Sequence, residues 1–344
     1  MGKSKTISSS KAGPAALLAG LALLALASPA AAEDAAPITM KLSTATVNDT
    51  QHEWLKRFAA AVEKDSGGRI KAGIYPASQL GTIPRQIEGV QFGSIQGWTG
   101  PPEFLVGVDE RYEALSAPGL FKSREQYERT IKDSTVTGLM LGLGGNKGLV
   151  GAGIYPIGPS SIITKKQIAH LSDFAGLKIR VLASPFQLEL IKRMGGSPIA
   201  MTLADVLPAL QQGALDGSLT TMTQYTTLHY IDVAKNVTET DQPYVTSIAV
   251  LSKKWVDGLA PDLQKIVRDD AAKVSVDIVP FVDQFFDAQR EIWKKSGGNV
   301  VRLPPADQAE MLAKISSIAD DLSKSKPELN AAVKSVFAAA DKNK

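Results

Sequence analysis

The chain has 344 residues, 38 of them basic and 35 acidic, for a formal net charge of +3, and it contains no cysteine. Thiol catalysis, thiolate metal sites and a disulfide scaffold are therefore excluded. Lys3, Lys5 and Lys11 fall in the first 32 residues, which hold no acid, so the rest of the chain is balanced at 35 basic and 35 acidic residues and gives no support to a nucleic-acid or anionic-membrane partner.

Those first residues set the compartment. An apolar run from Ala15 to Ala27 follows the lysines, and Ala30-Ala31-Ala32 supplies the small residues a signal peptidase requires. The pattern predicts a secretory signal cleaved after about Ala32. The run is short for a membrane span, and the missing cysteine removes a lipoprotein anchor. The 312 residues that follow suffice for a large core and suggest two lobes.

Ile38 to Ala45 alternates apolar and small polar residues and predicts a strand that ends in the polar loop Thr46 to Thr50. Thr50 is the expected N-cap of the next helix, with Glu53 three residues on and Trp54, Phe58 and Val62 at helical spacing. Ile70 to Tyr75 is a second strand, a helix holds Ile87 and Val90, and Trp98 sits in a short strand between Gly97 and Thr99-Gly100. Strand, helix, strand, helix, strand argues for a mainly parallel α/β sheet, with ligands beyond the strands' carboxyl ends.

A charged helix, Arg124 to Lys132, precedes a glycine-dense region, Gly138 to Gly158, through which no nucleotide-binding glycine pattern can be drawn. A strand from Leu149 to Tyr155 is expected there, crossing between lobes. Leu177 to Val181 is a short strand carrying Arg180, and Ser184-Pro185 caps the helix after it. Gly195-Gly196 stops that helix, and another starts at Thr202 and bends at Pro208. Ser218 to Tyr230 is rich in hydroxyls and predicts a loop. Val245 to Leu251 is the expected return strand. Pro261 to Lys295 predicts one long helix interrupted at Pro280, about 50 Å at ~1.5 Å per residue. Val300 to Leu303 is a last strand, and Ala306 to Ala340 predicts helix.

The chemistry-bearing residues are few. His52, His170 and His229 have no metal-ligand spacing, and no Gly-x-Ser-x-Gly elbow occurs. Asp269-Asp270 and Asp320-Asp321 are adjacent on helices, where neighbours diverge. No catalytic constellation, metal site or cofactor is implied. Arg180 differs: a planar guanidinium near a strand end offers bidentate hydrogen bonds to a carboxylate, although a strand arginine paired with a rim acid is the commoner occurrence. Trp98 reads equally as a core aromatic or a pocket wall.

Tyr75-Pro76-Ala77-Ser78-Gln79-Leu80-Gly81, Gly176 to Val181, Gly195-Gly196-Ser197-Pro198 with Met201, and Asp205 through Ala209-Leu210-Gln211-Gln212-Gly213 to Asp216-Gly217 carry a resemblance. The chain resembles the DctP-type substrate-binding proteins of tripartite ATP-independent periplasmic (TRAP) transporters over essentially its whole length after the signal. The resemblance implies a periplasmic, two-lobed α/β fold with crossing strands and a long spanning helix. Lobe I would hold 38–157 and about 247–286, and lobe II 158–246 and about 287–340. It implies an organic acid bound through an Arg180–carboxylate salt bridge, and delivery to a membrane permease.

Departures from the family pattern bear on the ligand. A second arginine common in the family falls here at Ser160, the family's Gln-Glu-Asn-Pro is Ser218-Leu219-Thr220-Thr221, and a loop acid is Pro101. A monocarboxylate is expected, with Trp98 and Phe186 as apolar walls and Asn48, Thr99, Thr220, Gln242 and Tyr244 as polar ones. An exported enzyme acting on small organic acids, or a binding protein serving another importer or a receptor, remains the alternative.

Overall fold

A computed structural model describes residues 36–344, so the expected signal and its cleavage point lie outside the described residues. The alternating pattern gives β1 (Ile38–Ser43), α1 (Thr50–Asp65), β2 (Ile70–Tyr75), α2 (Ile83–Phe92) and β3 (Gly97–Gly100). Two 3₁₀ segments, Pro102–Leu105 and Glu110–Ser116, lead to α3 (Arg124–Lys132), α4 (Ser134–Leu141) and the long β4 (Leu149–Thr164). Next come β5 (Lys178–Val181), α5 (Pro185–Arg193), β6 (Ser197–Ala200), α6 (Leu203–Gln211), β7 (Gly217–Thr221), α7 (Met222–Thr227) and a second long strand, β8 (Asn236–Ser252). The chain continues through α8 (Lys253–Asp257), α9 (Pro261–Asp277), α10 (Val279–Lys295), β9 (Asn299–Arg302), α11 (Pro305–Ile315), α12 (Ile318–Ser323) and α13 (Pro327–Lys342).

Several expectations need correction. Asp49, not Thr50, caps α1: its Oδ1 accepts from His52 N at 3.0 Å, and Thr50 already lies in the first turn. A carboxylate at that position also meets the positive end of the helix dipole. The hydroxyl run is not a loop but β7 and α7, buried from Gly217 to Tyr225, because its polar groups find partners inside. Tyr225 OH, for instance, donates to Ser161 O at 2.6 Å and accepts from Thr220 N at 3.1 Å. Ser197–Ala200, to which the sequence reading assigned no element, is the edge strand β6, where Pro198 is tolerated. The long helix divides at Ile278, two residues before Pro280, which has no N–H to give. The C-terminal stretch is helical as expected and divides into three helices.

The nine strands form one sheet in the order β2-β1-β3-β8-β4-β7-β5-β6, with β9 also on β8. β4 and β8 run antiparallel along their length, and the two groups of short strands dock on opposite edges of this pair. β2-β1-β3 and β7-β5-β6 are each parallel internally, joined to the central pair antiparallel, so the sheet is mixed. The ladder between β4 and β8 shifts register between Pro156 and Gly158 and again between Pro159 and Ser161. Proline lacks the ladder N–H, which accounts for the breaks near mid-strand.

Behind the first strand group, Met40, Trp54, Phe58, Tyr155 and Val267 share a core with α1, β4 and α9. Gly153 allows the close packing of α9 on β4: a Cβ there would stand 1.9 Å from Ser275 Oγ. That hydroxyl accepts from Trp54 Nε1 at 3.0 Å and donates to Ala271 O at 2.7 Å. Gly153→Ala is expected to cost about 2–4 kcal/mol through overpacking and the displaced hydrogen bonds. An unchanged denaturation midpoint would show that the helix can back away freely. At the other end of the chain α12 packs on α5, whereas α13 packs on α3, α4 and the 3₁₀ segment Glu110–Ser116.

Candidate ligand-binding site

β5 lies between β6 and β7, and its alternation sends Ile179 and Val181 into a hydrophobic core while Arg180 takes the other face. Arg180 is fully buried. Its Nε donates to Met201 O at 2.9 Å and its Nη1 to Leu219 O at 3.5 Å, which fixes the guanidinium between the end of β6 and β7. Nη2 has no hydrogen-bond partner among the described residues. No carboxylate among the described residues forms an ion pair with Arg180. Burial brings its pKa down to about 10, which leaves the side chain a cation at neutral pH. A buried, oriented cation with one unused donor is a receptor for an anion.

Arg180 lines a cavity of about 470 Å³ of atom-free space, its mouth included. The first strand group contributes Thr46 and Gln51 beyond β1, and Trp98, Gly100, Pro101 and Phe104 at and after β3. The second contributes Arg180 and Leu182 at β5, Leu203 from α6, and Thr220, Thr221 and Gln224 from β7 and α7. Ile157 and Val245 close it from the two long strands. The cavity thus lies at the carboxyl ends of parallel strands from both groups. Among the described residues, Arg180 is the only charged side chain in its wall. Trp98 folds across Gly100, where a Cβ would meet its Cζ2 at 2.4 Å, so glycine is required beneath the indole. The Trp98 Nε1 also has no partner.

Of the residues expected from the sequence, Arg180, Trp98 and Thr220 meet at this cavity. Five others do not line it. Thr99, next to Trp98 on a strand, faces the opposite side, where its hydroxyl bonds with Tyr155 OH, with Ser247 Oγ at 3.2 Å and with Ile248 O at 3.2 Å. Asn48 is exposed in a left-handed turn with φ 54°, its N–H donating to His52 Nδ1 at 3.1 Å. Phe186 is buried in the core at the start of α5. Gln242 bridges backbone, accepting from Gly119 N at 2.9 Å and donating to Phe121 O at 3.1 Å. Tyr244 joins an aromatic cluster with Phe121 and Tyr127, and with Gln242 it lines a separate groove. Ser160, where the resemblance implies a second arginine, also lies outside the Arg180 cavity.

The sequence did not single out Gln51, Phe104, Leu203 or Gln224. Gln224 donates from Nε2 to Asp49 Oδ2 at 2.8 Å, a hydrogen bond that joins α7 to the cap of α1. Two buried acids reach α5 beside it. Glu113 Oε1 accepts from Ser184 Oγ at 2.5 Å and Phe186 N at 2.8 Å, and Glu103 Oε1 accepts from Gln187 Nε2 at 3.2 Å. Burial raises the pKa of both carboxyls.

Residues 42–326 match the family model for bacterial extracellular solute-binding protein, family 7, known as DctP. The chain is 28% identical over 257 residues to the C4-dicarboxylate-binding periplasmic protein DctP of Rhodobacter capsulatus, covering 72% of this chain and 74% of that one. Its fold matches the sugar acid binding protein DctPAm of Advenella mimigardefordensis in complex with galactonate, with TM-score 0.85, 21% identity, and coverage of 90% of this chain and 99% of that one. It also matches a TRAP periplasmic solute-binding protein of Desulfovibrio salexigens with bound orotic acid, with TM-score 0.84, 22% identity, and coverage of 89% and 99%. With the matched region spanning most of the sequence and the strand-end cavity holding an unpaired buried arginine, the chain belongs to the DctP-type substrate-binding proteins of TRAP transporters.

Proposed function

We propose that this protein captures an organic monocarboxylate in the periplasm through a salt bridge to Arg180 and hands it to a TRAP membrane permease, without chemical turnover. The observation that carries the reading is the free Nη2 of a fully buried arginine whose other two nitrogens are held by backbone carbonyls. A single cation in the cavity wall favours one carboxylate, since a second, enclosed without a partner, would cost several kcal/mol. The apolar remainder, Trp98, Phe104, Leu182 and Leu203 among it, suits a carbon skeleton. Relatives that bind a C4-dicarboxylate, galactonate and orotic acid support the broader class of organic acids.

The two strand groups are the proposed lobes, expected from the sequence as 38–157 with about 247–286 and 158–246 with about 287–340, with one change in the last helix. α13 is assigned to the first, because it packs on α3 and α4. The proline-broken middle of β4 is the proposed hinge. Ligand contacts drawn from both lobes favour the closed state by their difference between the two conformations. Calorimetry against matched monocarboxylates, dicarboxylates and neutral sugars tests the specificity. A monocarboxylate is expected to bind tightest; preference for a dicarboxylate or a neutral sugar would overturn the reading.

A further inference from the structure

We propose that Asp49 and Gln224 select a ligand bearing a hydroxyl group in addition to its carboxylate, so that the substrate class is hydroxy monocarboxylic acids as opposed to oxo acids. The inference rests on the Arg180–carboxylate reading above. Gln224 lies in the short helix α7, 4% exposed, and lines the cavity. Its Nε2 donates to Asp49 Oδ2, and its Oε1 has no partner among the described residues. Asp49 dictates this orientation. As the cap of α1 its Oδ1 accepts from His52 N at 3.0 Å and from Thr46 Oγ1 at 2.9 Å, and its Oδ2 is the acceptor for Gln224. Burial raises its pKa, and these hydrogen bonds from His52, Gln224 and Thr46 act against that by favouring the ionised form, which has only acceptor capacity. The amide nitrogen therefore turns to Asp49, and the amide oxygen is left for the ligand.

The unpartnered groups in the wall now specify a ligand. Arg180 Nη2 and Trp98 Nε1 are donors, and Gln224 Oε1 is an acceptor. A carboxylate answers the arginine. An oxo oxygen can accept from a donor but cannot give a proton to Gln224, whereas a hydroxyl can do both. An oxo acid enclosed here would leave the Gln224 oxygen buried against another acceptor. Sites built to hydrogen-bond a hydroxyl discriminate strongly against analogues that lack the donor.

The test is calorimetry on the full secreted chain with matched hydroxy and oxo monocarboxylates of equal length, substituted at carbon 2 or carbon 3. The parent protein is expected to prefer the hydroxy member of the best-bound pair by at least about tenfold. Asparagine is as good a cap as aspartate, so Asp49→Asn is expected to keep α1, checked by thermal melting. Its new amide N–H₂ faces Gln224, which turns its own nitrogen into the cavity. The preference is then expected to move toward the oxo member by about tenfold or more. Gln224→Leu is expected to erase the preference in either direction. If acids bind in an Arg180-dependent manner but the parent shows no hydroxy preference, or neither variant moves the ratio, this proposal is overturned and the carboxylate reading stands. If neutral polyols bind in place of acids, or Arg180→Met retains affinity, the carboxylate reading fails and this proposal falls with it.

Discussion

Arg180→Met is expected to weaken binding of the ligand acid by more than about a hundredfold, roughly 3 kcal/mol, while leaving the unliganded protein as stable as its parent or more so. The two halves of this result come from one feature. The guanidinium is buried with no acid in salt-bridge contact among the described residues, so in the empty protein it is a charge removed from water and only partly compensated by two carbonyls and the more distant Glu103 carboxyl. Methionine has a similar length and no charge, and it fills the same space. A residue holding the fold together would lower the melting temperature when removed; a residue reserved for a ligand lowers affinity alone. Calorimetry and a thermal melt on the same sample separate the two.

A large pH effect on stability is expected at Glu113. Burial raises its pKa to about 8 from an ordinary 4.5, opposed by the hydrogen bonds from Ser184 and Phe186 and reinforced by the nearby Glu103. Its second oxygen is buried with no partner among the described residues, which disfavours a charge there. The folded state then holds a proton that the unfolded chain has released at intermediate pH. The contribution to stability is full below about 4.5 and is lost as pH rises through about 8. The linked free energy is on the order of several kcal/mol, at most about 5. Glu113→Gln keeps an acceptor for Phe186 N and cannot ionise. It is expected to match the parent near pH 5 and to exceed it near pH 9, read from denaturation midpoints. Parallel pH profiles for the two proteins would contradict the burial argument.

How far the sequence reached is clearest around Arg180. The short strand, the Ser184 cap with Pro185 behind it and the glycine stop at Gly195 all depend on local chemistry, and each stands where expected. Trp98 and Arg180 meet at the cavity although 82 residues separate them in the numbering, because both sit at the ends of parallel strands. Thr99 could have been set aside from the sequence alone, since neighbours on a strand face opposite ways and Trp98 took the cavity side. Gln224 was out of reach for a different reason. A run of threonines and serines reads as loop by composition, and only tertiary partners such as Ser161 O for Tyr225 turn it into buried strand and helix. Asp49 was hidden by Thr50, whose spacing to Glu53 mimics a capping box. Leu203 and Phe104 lie outside any periodic pattern, and their place in the wall follows from how the two strand groups come together.

The most direct measurement is a crystal structure of the protein with the tightest-binding acid from the calorimetric panel. A ligand carboxylate oxygen is expected about 2.8 Å from Arg180 Nη2, with the carbon skeleton against Trp98. A carboxylate bound away from Arg180, or a ligand seated in the groove beside Gln242 and Tyr244, would contradict the Arg180–carboxylate reading.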